Sequence, residues 1–162
     1  MNTPAAAPPP AWTLERPWRN NNPGDLRCLA AGQKWNGQTG IDNAPGGPFA
    51  IFDSRTMGWR ALAVCLLTYF EKDGCYTVER IIDRYAPPGD NNNTPGYVAL
   101  VCGQIGVQPN GPVNPHSPPT MLAMVGAIAL AEGSARIQWP AAEKLAGIQL
   151  ALGIAQATKV PT

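Results

Sequence analysis

Arg19-Asn20-Asn21-Asn22-Pro23-Gly24-Asp25-Leu26-Arg27 is the stretch on which the reading of this chain turns. Neither solubility nor a generic core demands three consecutive asparagines, a Pro-Gly pair and flanking arginines. Proline fixes φ and glycine accepts positive φ, so Pro23-Gly24 sets a tight turn, and the short amides beside it bond either the backbone or a polar ligand. The stretch is therefore either an Asx-rich surface turn or one wall of a binding site.

Upstream, residues 1–11 are almost wholly Pro and Ala, a composition that predicts a disordered or polyproline-like arm outside the fold. The remainder, 12–162, is expected to form one domain, since 162 residues suffice for one sizeable core and hardly for two. A hydrophobic content of 44% argues for an ordered globular chain, and a net charge of +1 excludes a strong electrostatic claim on nucleic acid or an anionic membrane. Binding should then rest on hydrogen bonds and stacking, by a monomer. Cys28, Cys65, Cys75 and Cys102 show no CxxC spacing, and His116 is the only histidine, so neither a zinc cluster nor any cofactor is expected. Cys65 and Cys102 fall in apolar helical patterns and read as buried thiols, while a Cys28–Cys75 pair stays open. The N-terminus lacks the basic and apolar regions of a signal peptide, and no apolar run is long enough for a membrane span.

Downstream, residues 25–52 hold short apolar pieces broken by Gly and Pro, which suits a small irregular hairpin ending in Phe49-Ala50-Ile51-Phe52. Ser54 is a good N-cap for a helix over Arg55–Glu71, with Trp59, Leu62, Leu66, Tyr69 and Phe70 on one face, stopped by Asp73-Gly74. Thr77 caps a shorter helix through Arg84, with Val78, Ile81 and Ile82 inward, ended by Pro87-Pro88. A second polar cluster, Asp90-Asn91-Asn92-Asn93, precedes Thr94 as the predicted N-cap and Pro95 as first residue of a helix to Ile105. His116 lies in a Pro- and Asn-rich loop over 107–119 and is assigned no role. From Thr120, Met121–Ala131 is almost wholly apolar and predicts a helix buried on most sides. A last helix is expected from Pro140 to about Ala157, with Leu145, Ile148, Leu152 and Ala155 as its stripe. The fold class is mainly α (α+β), five helices with a small irregular β-hairpin region.

Glu132 stands at the end of that apolar helix. Burying a carboxylate costs several kcal/mol unless it is paired or protonated, so its pKa should rise toward the range a general acid needs near neutral pH. The plainer alternative is that Glu132 marks the point where the helix meets solvent, with Gly133 as its stop. Glycosidases usually employ a second carboxylate, and Asp25 and Asp90 are the candidates in the two Asn clusters, although both also suit turns. Glu71, Glu79 and Glu143 lie on solvated helix faces. Trp35, Tyr85 and Tyr97 are candidates to stack on sugar rings, with a core role as the alternative for Tyr85 and Tyr97.

These motifs carry a resemblance. The series Arg19–Arg27, Trp35-Asn36-Gly37, Phe49–Phe52, Gly58-Trp59-Arg60-Ala61, Thr77, Ile81–Pro88, Asn93-Thr94 and Tyr97 resembles a family of bacteriophage and prophage proteins. Its members are labelled as virion structural proteins or as lysozyme-like lytic enzymes of endolysin type. The likeness covers residues 19 to about 151. This chain departs from it at Asp25, where relatives have Asn, at Asp90, where they have Glu, and at Glu132-Gly133-Ser134, where they have Glu-Asn-Gly. A second similarity is to lysozyme-superfamily glucosaminidases of the flagellar and autolysin type, in which a helix ending in the catalytic Glu precedes an Asn-rich segment, an aromatic strand and a Ser-capped helix. Here the last three are Asn20–Arg27, Phe49–Asp53 and Ser54–Tyr69, while the helix ending in Glu lies at the other end, so the order looks like a circularly permuted lysozyme core.

The resemblance implies a peptidoglycan glycan-strand cleaving enzyme (muramidase, glucosaminidase or lytic transglycosylase) of phage origin. Glu132 would be the general acid and Asp25 or Asp90 its helper. Asn20, Asn21, Asn22, Arg27, Trp35, Asn93 and Tyr97 would bind substrate, with no metal and no cofactor. The partners would be peptidoglycan glycan strands and virion proteins. The protein would be made in the host cytoplasm and act in the periplasm or cell wall, or travel in the virion. The alternative from a different class is a non-catalytic virion or tail protein that binds cell-wall glycan or another virion protein.

Overall fold

Ser54 adopts extended backbone and its side chain accepts the Met57 amide at 3.3 Å, which starts the helix around which the molecule packs. In the computed structural model, which describes residues 7–154, that helix is α2, Arg55–Glu71. It follows α1, a single turn at Arg16–Arg19, and the strands β1 (Gln38–Asp42) and β2 (Phe49–Phe52). After it come α3 (Val78–Tyr85), α4 (Thr94–Ile105), α5 (Pro118–Glu132) and α6 (Ala141–Leu152). The strands pair antiparallel, Ile41 opposite Ala50 and Asp42 opposite Phe49, with an irregularity between Gln38 and Gly40. The chain is thus mainly α with one small hairpin, as its patterns predict. Residues 1–6 of the expected arm, and Ala155 to Ala157 of the expected last helix, lie outside the described residues.

The expected single inward face of α2 is too narrow. Gly58, Trp59, Ala61, Leu62, Ala63, Cys65, Leu66 and Leu67 are all buried, because the small residues let neighbours approach on several sides. α6 lies against it at Gly147, where a Cβ would stand 2.5 Å from the Thr56 carbonyl oxygen and 2.6 Å from Trp59 Cβ. A side chain there must push two backbones apart. Gly147→Val is therefore expected to lower stability by at least about 2 kcal/mol, read from the urea midpoint.

Four further expectations shift. Asn93, not Thr94, caps α4: its Oδ1 accepts the Gly96 amide at 3.2 Å, while the Thr94 hydroxyl donates to the Ala86 carbonyl at 2.7 Å. α5 begins at Pro118 rather than Thr120, since proline at the first turn needs no amide partner. α6 stops at Leu152, where Gly153 takes φ +68°; Ile148 is buried as expected, but Leu145 is exposed and Gly147 is buried instead. Cys28 and Cys75 are free thiols, as are Cys65 and Cys102. His116 pairs with Glu71 at 2.8 Å, on the surface. No helix among the described residues is long and apolar enough to cross a membrane.

Candidate active site

α5 carries Met121, Met124, Val125 and Ile128 with no exposure at all, so the helix is held in the core along most of its length and delivers Glu132 from inside outward. The Glu132 side chain emerges between two cavities. One, of about 420 Å³, is lined by Arg16, Asp25, Arg27, Trp35, Tyr85 and Asp90 among others, and the second, of about 340 Å³, by Asn91, Asn93, Gly96 and Tyr97. Glu132 and Asn92 line both, so the two cavities adjoin at the carboxyl. Asp25 and Glu132, from opposite ends of the chain, share the first cavity.

Burial pushes the Glu132 carboxyl up to about 7, with the charge of Asp25 adding to the rise and a hydrogen bond from Tyr97 and the Arg16 guanidinium opposing it. The Tyr97 hydroxyl donates to Glu132 Oε1 at 3.0 Å, and burial beside that carboxylate raises the phenol far above its ordinary value. Tyr97 therefore stays protonated and able to donate to Glu132 Oε1. Tyr85, also raised by burial, donates to the Gly24 carbonyl and pins the turn against α3.

Asn20, Asn21 and Asn22, expected as substrate ligands, line neither cavity and bond within the protein instead. Asn20 is 2% exposed and gives its amide to Asp42 at 2.9 Å; Asn21 gives its own to the Phe52 carbonyl at 2.9 Å. Asn22 is fully buried, donates to the carbonyls of Leu26 and Ala50, and accepts the Leu26 amide, each at 2.9 Å. These amides bond the turn to the hairpin, with both donors of Asn22 and one each of Asn20 and Asn21 spent within the protein. Asp42, held by Asn20 and Arg19, drops to about 2.

Asp25 reaches the cavity in left-handed backbone (φ 47°), but its carboxylate is only 4% exposed and both its oxygens are bound by Arg16. A carboxylate so committed is a poor base or nucleophile. Asp90 sits exposed at the cavity mouth, paired with Arg27 at 3.3 Å. Trp35 is half-buried with its indole N–H on the Arg27 carbonyl at 2.9 Å, which leaves its ring on the cavity wall. Asn93 lines the second cavity with its Oδ1 used as the α4 cap.

Sequence reasoning passed over Glu15 and Arg16. Two adjacent opposite charges between Trp12 and Trp18, just before Pro17, were the available signal. Trp18 packs on Trp139 at 5.2 Å and Trp139 on Trp59 at 5.4 Å, so the segment is tied to the core of α2. Among the described residues no three His, Cys, Asp or Glu side chains are grouped to hold a metal ion.

No protein-family model matches the chain. The chain is 33% identical over 106 residues to Protein P5 of Pseudoalteromonas phage PM2, a match that covers 65% of this chain and 64% of that protein. It is thus similar to a phage protein over somewhat less than two thirds of that protein's length.

Proposed function

We propose that this protein cleaves the glycan strands of peptidoglycan, with Glu132 as the proton donor, in the service of a phage. The observation that carries the reading is a half-buried carboxyl, raised to about 7, with a cavity on either side. A polymer lying across the two cavities presents a bond to the acid with units bound on either side. Trp35 and Tyr97 supply ring and hydroxyl surfaces along it.

Of the three carboxylates that line the first cavity, Glu132 alone is in no ion pair. This favours a one-acid reaction over a two-carboxylate hydrolysis. Glu132 gives its proton to the glycosidic oxygen as the C1–O bond breaks. The substrate's own C6 hydroxyl then forms the new bond to C1 and returns its proton to the Glu132 carboxylate. The product is an anhydro-sugar end, and acid and carboxylate are balanced over one cycle.

A second reading is a non-catalytic virion or tail component that binds cell-wall glycan or another virion protein. The pairing of Asp25 and Asp90 with arginines is compatible with it, as is the likeness to a phage protein. Incubation with purified peptidoglycan, followed by turbidity and mass analysis of the released fragments, separates the two. Anhydro ends are expected; reducing ends would point to hydrolysis, and intact strands at every pH from 5 to 8 would leave the binding reading.

A further inference from the structure

Two neighbouring residues of the N-terminal segment bind in different directions, Arg16 on the first cavity and Glu15 at the end of α5 just beyond Glu132. Glu15 precedes α1 in extended backbone, and its carboxylate accepts the Ser134 amide at 3.0 Å and the Ser134 hydroxyl at 2.5 Å. Ser134 is two residues beyond Glu132, where the chain leaves α5 through Gly133 at φ −108° and ψ −157°. The exit is tight: a Cβ on Gly133 would lie 2.7 Å from Ile137 Cδ1 and 3.3 Å from the Ala129 carbonyl oxygen. Arg16 turns the other way. Its Nε lies 2.8 and 3.1 Å from the two Asp25 oxygens, and its guanidinium stacks 3.8 Å from the centre of the Phe49 ring. One dipeptide thus grips the helix end that bears the acid and the turn that bears the nearest buried carboxylate.

We propose that Glu15 and Arg16 are positioning residues for Glu132, Glu15 by anchoring the end of α5 through Ser134 and Arg16 by holding and neutralising Asp25 on the facing wall. This rests on Glu132 being the proton donor. A last helical turn frays unless its end is tied, and a frayed turn would let water reach the carboxyl. An Asp25 without its guanidinium would be an uncompensated charge beside a second acid.

The groups around Glu132 show why this pair matters. Tyr97 from α4 and Tyr85 from α3 are raised by burial and stay neutral. Cys65 and Tyr69 of α2, on the same cavity, are raised as well, the thiol to about 11. The charges that remain are Asp25, Arg16 and Glu15, with the Arg27–Asp90 pair out at the mouth.

The test reads the Glu132 carboxyl directly, by carbon NMR titration of the full chain labelled at glutamate, with the resonance assigned by its loss in Glu132→Gln. No substrate is involved, so its outcome is separate from that of the cleavage assay. Asp25→Asn, which keeps an acceptor for Arg16, is expected to lower the midpoint by about half a unit or more, and Arg16→Gln to raise it by a similar amount. Glu15→Ala is expected to lower it toward the ordinary carboxyl value as the helix end opens to water, with Glu15→Gln in between. Midpoints within about a tenth of a unit of wild type in Asp25→Asn and Glu15→Ala would overturn the proposal. Should Arg16→Gln fail to fold, those two variants decide alone.

Discussion

Glu132→Gln is expected to reduce peptidoglycan cleavage by about a hundredfold to ten-thousandfold, the range that loss of a general acid produces. Gln has the same shape and still accepts the Tyr97 hydroxyl, so the site is kept and only the transferable proton is lost. The same variant should be more stable than wild type above neutral pH. A Glu132 midpoint near 7, above the ordinary 4.5, means that the folded chain holds this proton more tightly than the unfolded chain. Stability from this group is therefore lost as pH rises from about 4.5 through about 7, and the whole penalty is present above that. A rise of this size corresponds to about 3 kcal/mol at most. The expected pattern is near-equal stability at pH 4 and a higher urea midpoint for Glu132→Gln at pH 8. Wild-type cleavage should fall above about pH 7, where the acid form disappears. A variant that clears peptidoglycan at the wild-type rate would remove Glu132 from the reaction.

The second large effect belongs to Asn22. Asn22→Ala removes one acceptor and two donors at a site with no solvent, orphaning the Leu26 amide and taking a donor from the carbonyls of Leu26 and Ala50, the first of which keeps the Ala50 amide at 2.9 Å. The orphaned amide costs about 1–3 kcal/mol and each lost bond to a carbonyl about 1 kcal/mol, which brings the total to about 2–4 kcal/mol. Much of a domain's margin would go with it. Asn21→Ala, which gives up one half-buried bond to Phe52, should cost about 1 kcal/mol. Urea unfolding of both variants gives the comparison. Loss of glycan affinity with unchanged stability in Asn22→Ala would restore the amide to the role of ligand.

What was legible in the chain was local. Ser54 and Thr77 cap the helices they were expected to cap, and α2 spans the residues its periodicity marks. The apolar stretch that ends in Glu132 is a helix ending in Glu132. Such signals lie within a few residues of the structure they cause: a hydroxyl finds an amide three positions on, and a stripe repeats each turn. The α4 cap slipped by one residue because Asn93 and Thr94 both carry suitable oxygens, and Thr94 is taken by a carbonyl eight residues back.

The site was legible only in part, for a physical reason. From the residues alone, Asn20–Asn22 had to bond something polar, and Glu132 had to end a buried helix. An amide satisfies a backbone carbonyl as readily as a sugar, and nothing near Asn22 in the chain says which; the answer is Ala50, 28 residues on. Asp25 became a held charge rather than a free base because folding brings Arg16 to it, and the end of α5 is tied by Glu15 from 119 residues away. Composition and periodicity settle which groups are polar, which are apolar and where helices run. Partner choice belongs to the packing, because a hydrogen bond or an ion pair is selected by distance through space, and that distance exists only once the chain has closed on itself.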